Sequence, residues 1–173
     1  MSYLNLRANL GGIVILNFSF GFLRNQGKYN NKFFLYKTYR ALSKAPVDIL
    51  WQKIVNLADV SWHPLINQSN APWGLAAKPG IIYQVVTRFT PIPVRIFVER
   101  VCPREFLSFR VLALPGVEQR ITYQIESTLC GTYISYSVTL RGWLSPLLWW
   151  LIKPYTARVA SELANSIELK INN

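Results

Sequence analysis

The sequence is poor in the groups that build metal centres, disulfide frameworks and nucleophilic active sites. It has two cysteines, Cys102 and Cys130, in 173 residues. They are too few and too far apart for a disulfide framework or a zinc site, and no CxxC occurs. A reduced, intracellular setting is the default expectation. His63 is the single histidine, so a histidine-rich metal centre is excluded and no metal or cofactor is expected. Charged residues make up 16% of the chain, against about 25% in an ordinary soluble domain. Acids are scarcest: none precedes Asp48, whereas seven basic residues do (Arg7, Arg24, Lys28, Lys32, Lys37, Arg40, Lys44). The apolar run Leu10–Leu23, broken by Asn17 and Ser19, falls short of the roughly 20 residues of a spanning helix. There is no Gly-x-Ser-x-Gly, phosphate loop or dinucleotide fingerprint.

What is abundant is apolar side chain. Half the residues are hydrophobic (51%) and 14% are aromatic, a surplus that suits a lined cavity or a lipid-facing surface, with a tight aromatic core as the plain alternative. The net charge of +11 favours anionic lipid or nucleic acid, though basic residues this scattered also suit a solvated face. Residues 1–31 stand apart in composition. They read either as an interfacial anchor or as a disordered basic and apolar extension, sequence upstream of the true start included, and no small-x-small cleavage site follows the apolar run.

From Phe33 the pattern becomes regular. FFLYKTYRALS reads as a first strand, and Pro46 opens a helix over about Val47–Leu57. A second short helix or turn over Ala58–His63, ended by Pro64, completes a helical elbow. Strands follow at 81–89, 94–101, 105–113, 117–129 and 132–143, with Pro91-Ile92-Pro93 and similar short runs as punctuation and a weaker strand in Leu65–Trp73. Connections this short permit hairpins and not parallel crossovers. The sheet is therefore antiparallel, with six or seven strands. Alternation assigns its inner face to Leu107, Phe109 and Val111, then Ile121, Tyr123 and Ile125, then Ile134, Tyr136, Val138 and Leu140.

The last thirty residues read as one long helix, bent at Pro154. Leu148, Ile152, Tyr155, Val159, Leu163, Ile167 and Ile171 lie in steps of three and four along one face. Before Pro154 the segment LLWWLI is apolar all round. Trp143, Trp149 and Trp150 are thus candidates for a gate or membrane contact, or for packing against the elbow.

This order is similar to that of the START-like, or SRPBCC, superfamily, and most of all to its polyketide cyclase/dehydrase and lipid transport branch. The resemblance rests on Ala45-Pro46-Val47-Asp48-Ile49-Leu50-Trp51, Ser61-Trp62-His63-Pro64-Leu65, Lys78-Pro79-Gly80 and Gly142-Trp143-Leu144-Ser145-Pro146-Leu147-Leu148, and covers about residues 33–171. It implies an α+β helix-grip fold in a domain of residues 32–173: a curved antiparallel sheet around a long C-terminal helix. It also implies binding or transfer of a hydrophobic small molecule such as a lipid, isoprenoid, pigment or polyketide-like compound. The inner-face residues named above, with Ile152, Tyr155 and Val159, would line the ligand cavity, and Tyr123 and Tyr136 would offer hydroxyls to it. A cyclase or dehydrase using Tyr123, Tyr136 or His63 for proton transfer is the second reading, ranked lower because inward carboxylate pairs are lacking. A basic membrane-surface module is the third. Nucleic acid is disfavoured because alternation keeps most aromatics inside. The expected location is cytoplasmic, with peripheral contact to anionic membrane open; the sequence leaves the oligomeric state undecided.

Overall fold

The computed structural model describes residues 33–113 and 115–171. The readings of residues 1–31 lie outside them. Strand β1 (Phe34–Ser43) leads into helix α1 (Val47–Val55), and strands β2 (Ile66–Ser69), β3 (Ile82–Thr87), β4 (Thr90–Cys102), β5 (Phe106–Leu112), β6 (Glu118–Thr128) and β7 (Gly131–Arg141) follow. Two helices close the chain, α2 (Ser145–Thr156) and α3 (Val159–Ile171). The strands form one antiparallel sheet in the order β1-β7-β6-β5-β4-β3-β2. Successive hairpins lay down β2 to β7, and β1 pairs back onto β7 with Phe34 opposite Arg141 and Ser43 opposite Thr132. Bulges in β2 and β4 add the local twist that curls such a sheet. Together these elements make a curled half-barrel closed by a bent C-terminal helix, the expected helix-grip.

The inner face is the expected one. Leu107, Ile134, Tyr136, Val138 and Leu140 are fully buried, and Phe109, Val111, Ile121, Tyr123 and Ile125 nearly so. Helix α3 lies against β1 and β7 and buries Val159, Leu163 and Ile167, continuing the stripe of Leu148 and Ile152 on α2. The outer face carries charge instead. Glu99 sits between Arg110 and Arg120 at 2.5 and 2.7 Å. Burial alone would raise its carboxyl, but the hydrogen bonds and charge of the two guanidiniums outweigh burial and hold it below the usual range.

Two expectations are corrected in detail, and one alternative is decided. The Pro91-Ile92-Pro93 segment is not punctuation but the beginning of β4, paired with β3 through Pro93 opposite Val86. Pairing with β5 starts only at Arg95, so the missing proline N–H groups leave no gap in a second ladder. Of the helix or turn expected over Ala58–His63, the structure forms the turn. The C-terminal helix is two helices, and the break lies at Ala157–Arg158, beyond Pro154. There Arg158 N–H donates to the Tyr155 carbonyl at 3.0 Å, a tightened turn that ends α2 within one turn of the proline.

Candidate functional site

Antiparallel register builds a row of tyrosines across the inner face. Tyr39 of β1 stands opposite Tyr136 of β7, and Tyr136 opposite Tyr123 of β6. The Tyr123 and Tyr136 rings are 5.0 Å apart, and Phe109 extends the row to Tyr83 of β3 through edge contacts of 6.2 and 6.4 Å. Five aromatic side chains from five strands therefore line one path beneath the helices. Burial raises the hydroxyl pKa of Tyr39, Tyr83, Tyr123 and Tyr136, and for Tyr123 the neighbouring phenols Tyr136 and Tyr83 add to it. All four stay protonated near neutrality, so each can donate a hydrogen bond and none stands as a phenolate base.

One member of the row is unusual. The hydroxyl of Tyr136 is fully buried and, among the described residues, has no hydrogen-bond partner. A buried polar group left so costs on the order of 1–3 kcal/mol. Its neighbour Tyr39 is served by the side chain of Thr156, the last residue of α2. The polar end of the row therefore lies under the α2–α3 corner.

The row borders a small pocket of about 50 Å³, walled by Tyr83, Ile96, Phe109, Ile121 and Tyr123 from the sheet and by Ile54, Leu57, Val60, Trp62 and Ile66 from the cover, with Asn56, Asp59 and His63 as polar points. A wider depression of about 470 Å³ lies at the β3–β4 turn. It is more open to solvent and more polar, so the more sheltered, aromatic-lined pocket is the better ligand site despite its size.

The cover over the pocket is tightly tied. Lys53 meets Asp59 at 2.6 Å, Trp62 Nε1 donates to the Asp59 carbonyl at 3.0 Å, and the Trp62 ring edges onto Tyr123 at 6.2 Å. His63 Nδ1 accepts the backbone N–H groups of Leu65 and Ile66 at 3.2 and 3.3 Å. That leaves the proton of the neutral ring on Nε2. Burial, reinforced by the charge of Arg88, pushes the His63 pKa down to about 3. Near neutrality the ring is thus neutral, holds the 63–66 turn as an acceptor through Nδ1, and has no free basic nitrogen for proton abstraction.

The expected site residues divide by position. Phe109, Ile121, Tyr123 and His63 line the pocket. Tyr136 stands directly behind Tyr123. Leu107, Val111, Ile125, Ile134, Val138, Leu140, Ile152 and Val159 fill the surrounding core, and Tyr155 packs half-buried at its margin. Of the gate candidates Trp143 and Trp150 are exposed, whereas Trp149 turns against the core. Tyr39, Tyr83, Trp62, Asn56 and Asp59 were missed. Tyr39 shares its face with Lys37, which hid the alternation of β1, and the other four come from loops or from a strand with no assigned face.

No family model matches the chain, and no curated protein matches it by sequence. Solved structures do match. Protein MLL2253 from Mesorhizobium loti aligns at 12% identity over 78% of this chain and 97% of its own, with a TM-score of 0.61. Ara h 8.0201 aligns at 13% identity over 81% of this chain and 99% of its own, TM-score 0.61. The chain shares with them the helix-grip fold. DynU16, a protein in the dynemicin biosynthetic locus, is also similar at 19% identity and a TM-score of 0.51, covering 74% of this chain but only 46% of its own length. At these identities the likeness is one of architecture.

Proposed function

We propose that the protein binds a hydrophobic small molecule between its sheet and its C-terminal helices, and that the ligand carries one neutral oxygen which accepts the Tyr136 hydroxyl. The observation that carries this reading is the unpartnered phenol in an otherwise apolar interior. No buried cation or carboxylate stands in the row, so a charged ligand group would lose its hydration without compensation. A ketone, ester or alcohol fits, as in a lipid, isoprenoid, pigment or polyketide-like molecule.

A pocket of about 50 Å³ holds water-sized guests, whereas ligand sites usually enclose about 300–1,000 Å³. Loading therefore requires the cover to move. The elbow is braced by the Lys53–Asp59 pair and the His63 turn, which leaves α2 as the gate. It is bounded by Gly142 at φ 124° and by the break at Ala157–Arg158, and the buried Ser145 hydroxyl at its start has no partner. Outward movement of α2 would open the core beside Tyr136.

Native mass spectrometry and solvent extraction of the purified full chain should reveal a bound apolar compound; a protein that is empty under both would refute the reading. Tyr136→Phe supplies a sharper test, because the two roles of the hydroxyl have opposite signs. Without ligand the variant should be as stable as wild type or about 1 kcal/mol more stable, measured by denaturant unfolding. Capture of the extracted compound should fall about five- to tenfold, the effect of one lost hydrogen bond. A clear loss of unliganded stability would mean that the hydroxyl serves the fold.

A second reading is supported by the likeness to DynU16: a cyclase or dehydrase in which the chamber folds a reactive chain and the phenols polarise a carbonyl. Tyr123→Phe/Tyr136→Phe retaining full turnover on such a substrate would remove it. Binding ranks first because His63 is neutral with its Nδ1 committed to the backbone, and the carboxylate of Asp59, though burial raises it, is committed to Lys53 and Ser61, which hold its pKa low.

A further inference from the structure

Helix α2 is apolar on both sides. Leu148 and Ile152 face the core, while Leu147, Trp150 and Leu151, spaced i, i+3, i+4, face outward. Leu147 is 65% exposed and Trp150 is 77% exposed. Trp143, just before the helix, is 66% exposed beside them and rests on Gly116, where a Cβ would come within 2.6 Å of the indole nitrogen. Two large indoles and two leucines thus stand in water side by side, an arrangement that isolated surface apolar residues do not produce.

The charge around this face is one-sided. No acid occurs in residues 1–47 or in residues 127–161, and the described parts of those stretches build β1, β7 and α2, which are neighbours in space. Arg141 at the end of β7 and Lys153 on α2 are exposed there. Glu118 stands opposite Arg141 in the ladder, on the same outer face of the sheet, and its carboxylate also reaches Arg110 and Arg120 at 3.9 and 3.7 Å, while the Arg141 guanidinium lies over the Phe34 ring at 5.3 Å. Glu162 answers Arg158 at 3.2 Å, beyond the helix break. The exposed cations beside the apolar face are therefore Lys153, on the helix itself, and Arg141, at the strand end that leads into Trp143. The chain also arrives here from residues 1–32: Phe33 accepts the Gly142 N–H at 3.1 Å, next to Trp143. Those preceding residues carry four basic side chains, no acid and the apolar run Leu10–Leu23.

We infer that the outer face of α2, with Trp143, Leu147, Trp150 and Leu151 as the inserted residues and Arg141 and Lys153 at headgroup level, docks on an anionic lipid surface. Indoles favour the boundary between headgroups and acyl chains, and an interfacial helix needs only one apolar face at shallow depth. Among the described residues no helix is long and apolar enough to cross a membrane, so the mode is peripheral. A second copy of the chain would bring Arg141 and Lys153 against their like, which weighs against self-association through this face.

The test is co-sedimentation of the full chain with vesicles of phosphatidylcholine alone or mixed with phosphatidylglycerol, across salt. Wild type should bind the anionic vesicles, weaken as salt rises, and shift its tryptophan emission to the blue. Trp143→Ser/Trp150→Ser should lower partitioning about a hundredfold, Leu147→Ser about tenfold and Lys153→Glu several-fold, with circular dichroism unchanged because all four side chains are exposed. Absence of anionic-vesicle binding at low salt would overturn the proposal. So would a double variant that binds like wild type, since another surface would then carry the contact. A wild-type dimer that the double variant dissolves would instead assign the face to a second copy, and oligonucleotide binding in place of vesicle binding would assign it to nucleic acid.

Discussion

Gly142→Ala should destabilise the fold by at least about 3 kcal/mol and lower the melting temperature by about 10 °C. Two costs add at this position. The backbone holds φ 124°, a region that residues with a Cβ rarely adopt. The added Cβ would also overlap the carbonyl oxygen of Gly116, so backbone must give way where β7 hands over to α2. Gly80→Ala separates the two terms: φ is 91° there, but nothing lies within 4 Å of a new Cβ. It should cost about 1 kcal/mol. Equal losses in the two variants, compared by denaturant unfolding, would show that the Gly142–Gly116 approach carries no weight. The same junction is one end of the proposed gate, so a Gly142 variant that still folds should also change how fast an apolar ligand exchanges.

Acid should weaken the protein well above the range where carboxylates titrate, and His63 is the reason. Burial and the charge of Arg88 hold its pKa at about 3, whereas the unfolded chain has the ordinary value of about 6.5. Between those values the unfolded state binds the proton and the folded state does not. Stability is thus fully present above pH 6.5 and declines as the pH falls, by about 2 kcal/mol at pH 5 and up to about 5 kcal/mol near pH 3. His63→Asn checks the assignment, because its side-chain oxygen can accept the Leu65 and Ile66 N–H groups but does not titrate in this range. Unfolding free energies of the variant should be nearly level between pH 7 and 5. A variant that declines as steeply as wild type would place the acid sensitivity elsewhere, with Asp59 and Glu99 the next groups. Each of those carboxyls is pushed up by burial but held low overall by its cationic partners, so each withdraws stability only as the pH falls through the carboxylate range.

Much of the architecture was legible because it rests on local periodicity. Alternation in 117–129 and 132–143 identified the buried apolar residues of β6 and β7, though not the buried Thr132 and Ser135, and the three- and four-residue steps from Leu148 to Ile167 marked the buried stripe of both closing helices. Short connections excluded parallel pairing without any knowledge of contacts. The misreadings occurred where tertiary surroundings override the local signal. Pro91 and Pro93 lie in a strand because only one neighbour pairs with that end of β4. The C-terminal helix breaks past Pro154, because the bond that the proline removes is one of several that hold the turn.

The candidate site was only half legible. The sequence by itself determined that Tyr123 and Tyr136 point inward, that a single histidine cannot make a histidine-rich metal centre, and that the start of the last helix has more apolar surface than one face can bury. Tertiary structure alone decided that the β1–β7 register sets Tyr39 beside Tyr136, that the Tyr136 hydroxyl has no partner, and that His63 gives its Nδ1 to the backbone. It also turned Trp149 inward and left Trp143, Leu147 and Trp150 facing water. The physical reason is the range of the determinants. Which side of an element is buried follows from its own period, but which polar atom finds a partner, and which apolar surplus stays exposed, depends on elements a hundred residues apart meeting at the sheet.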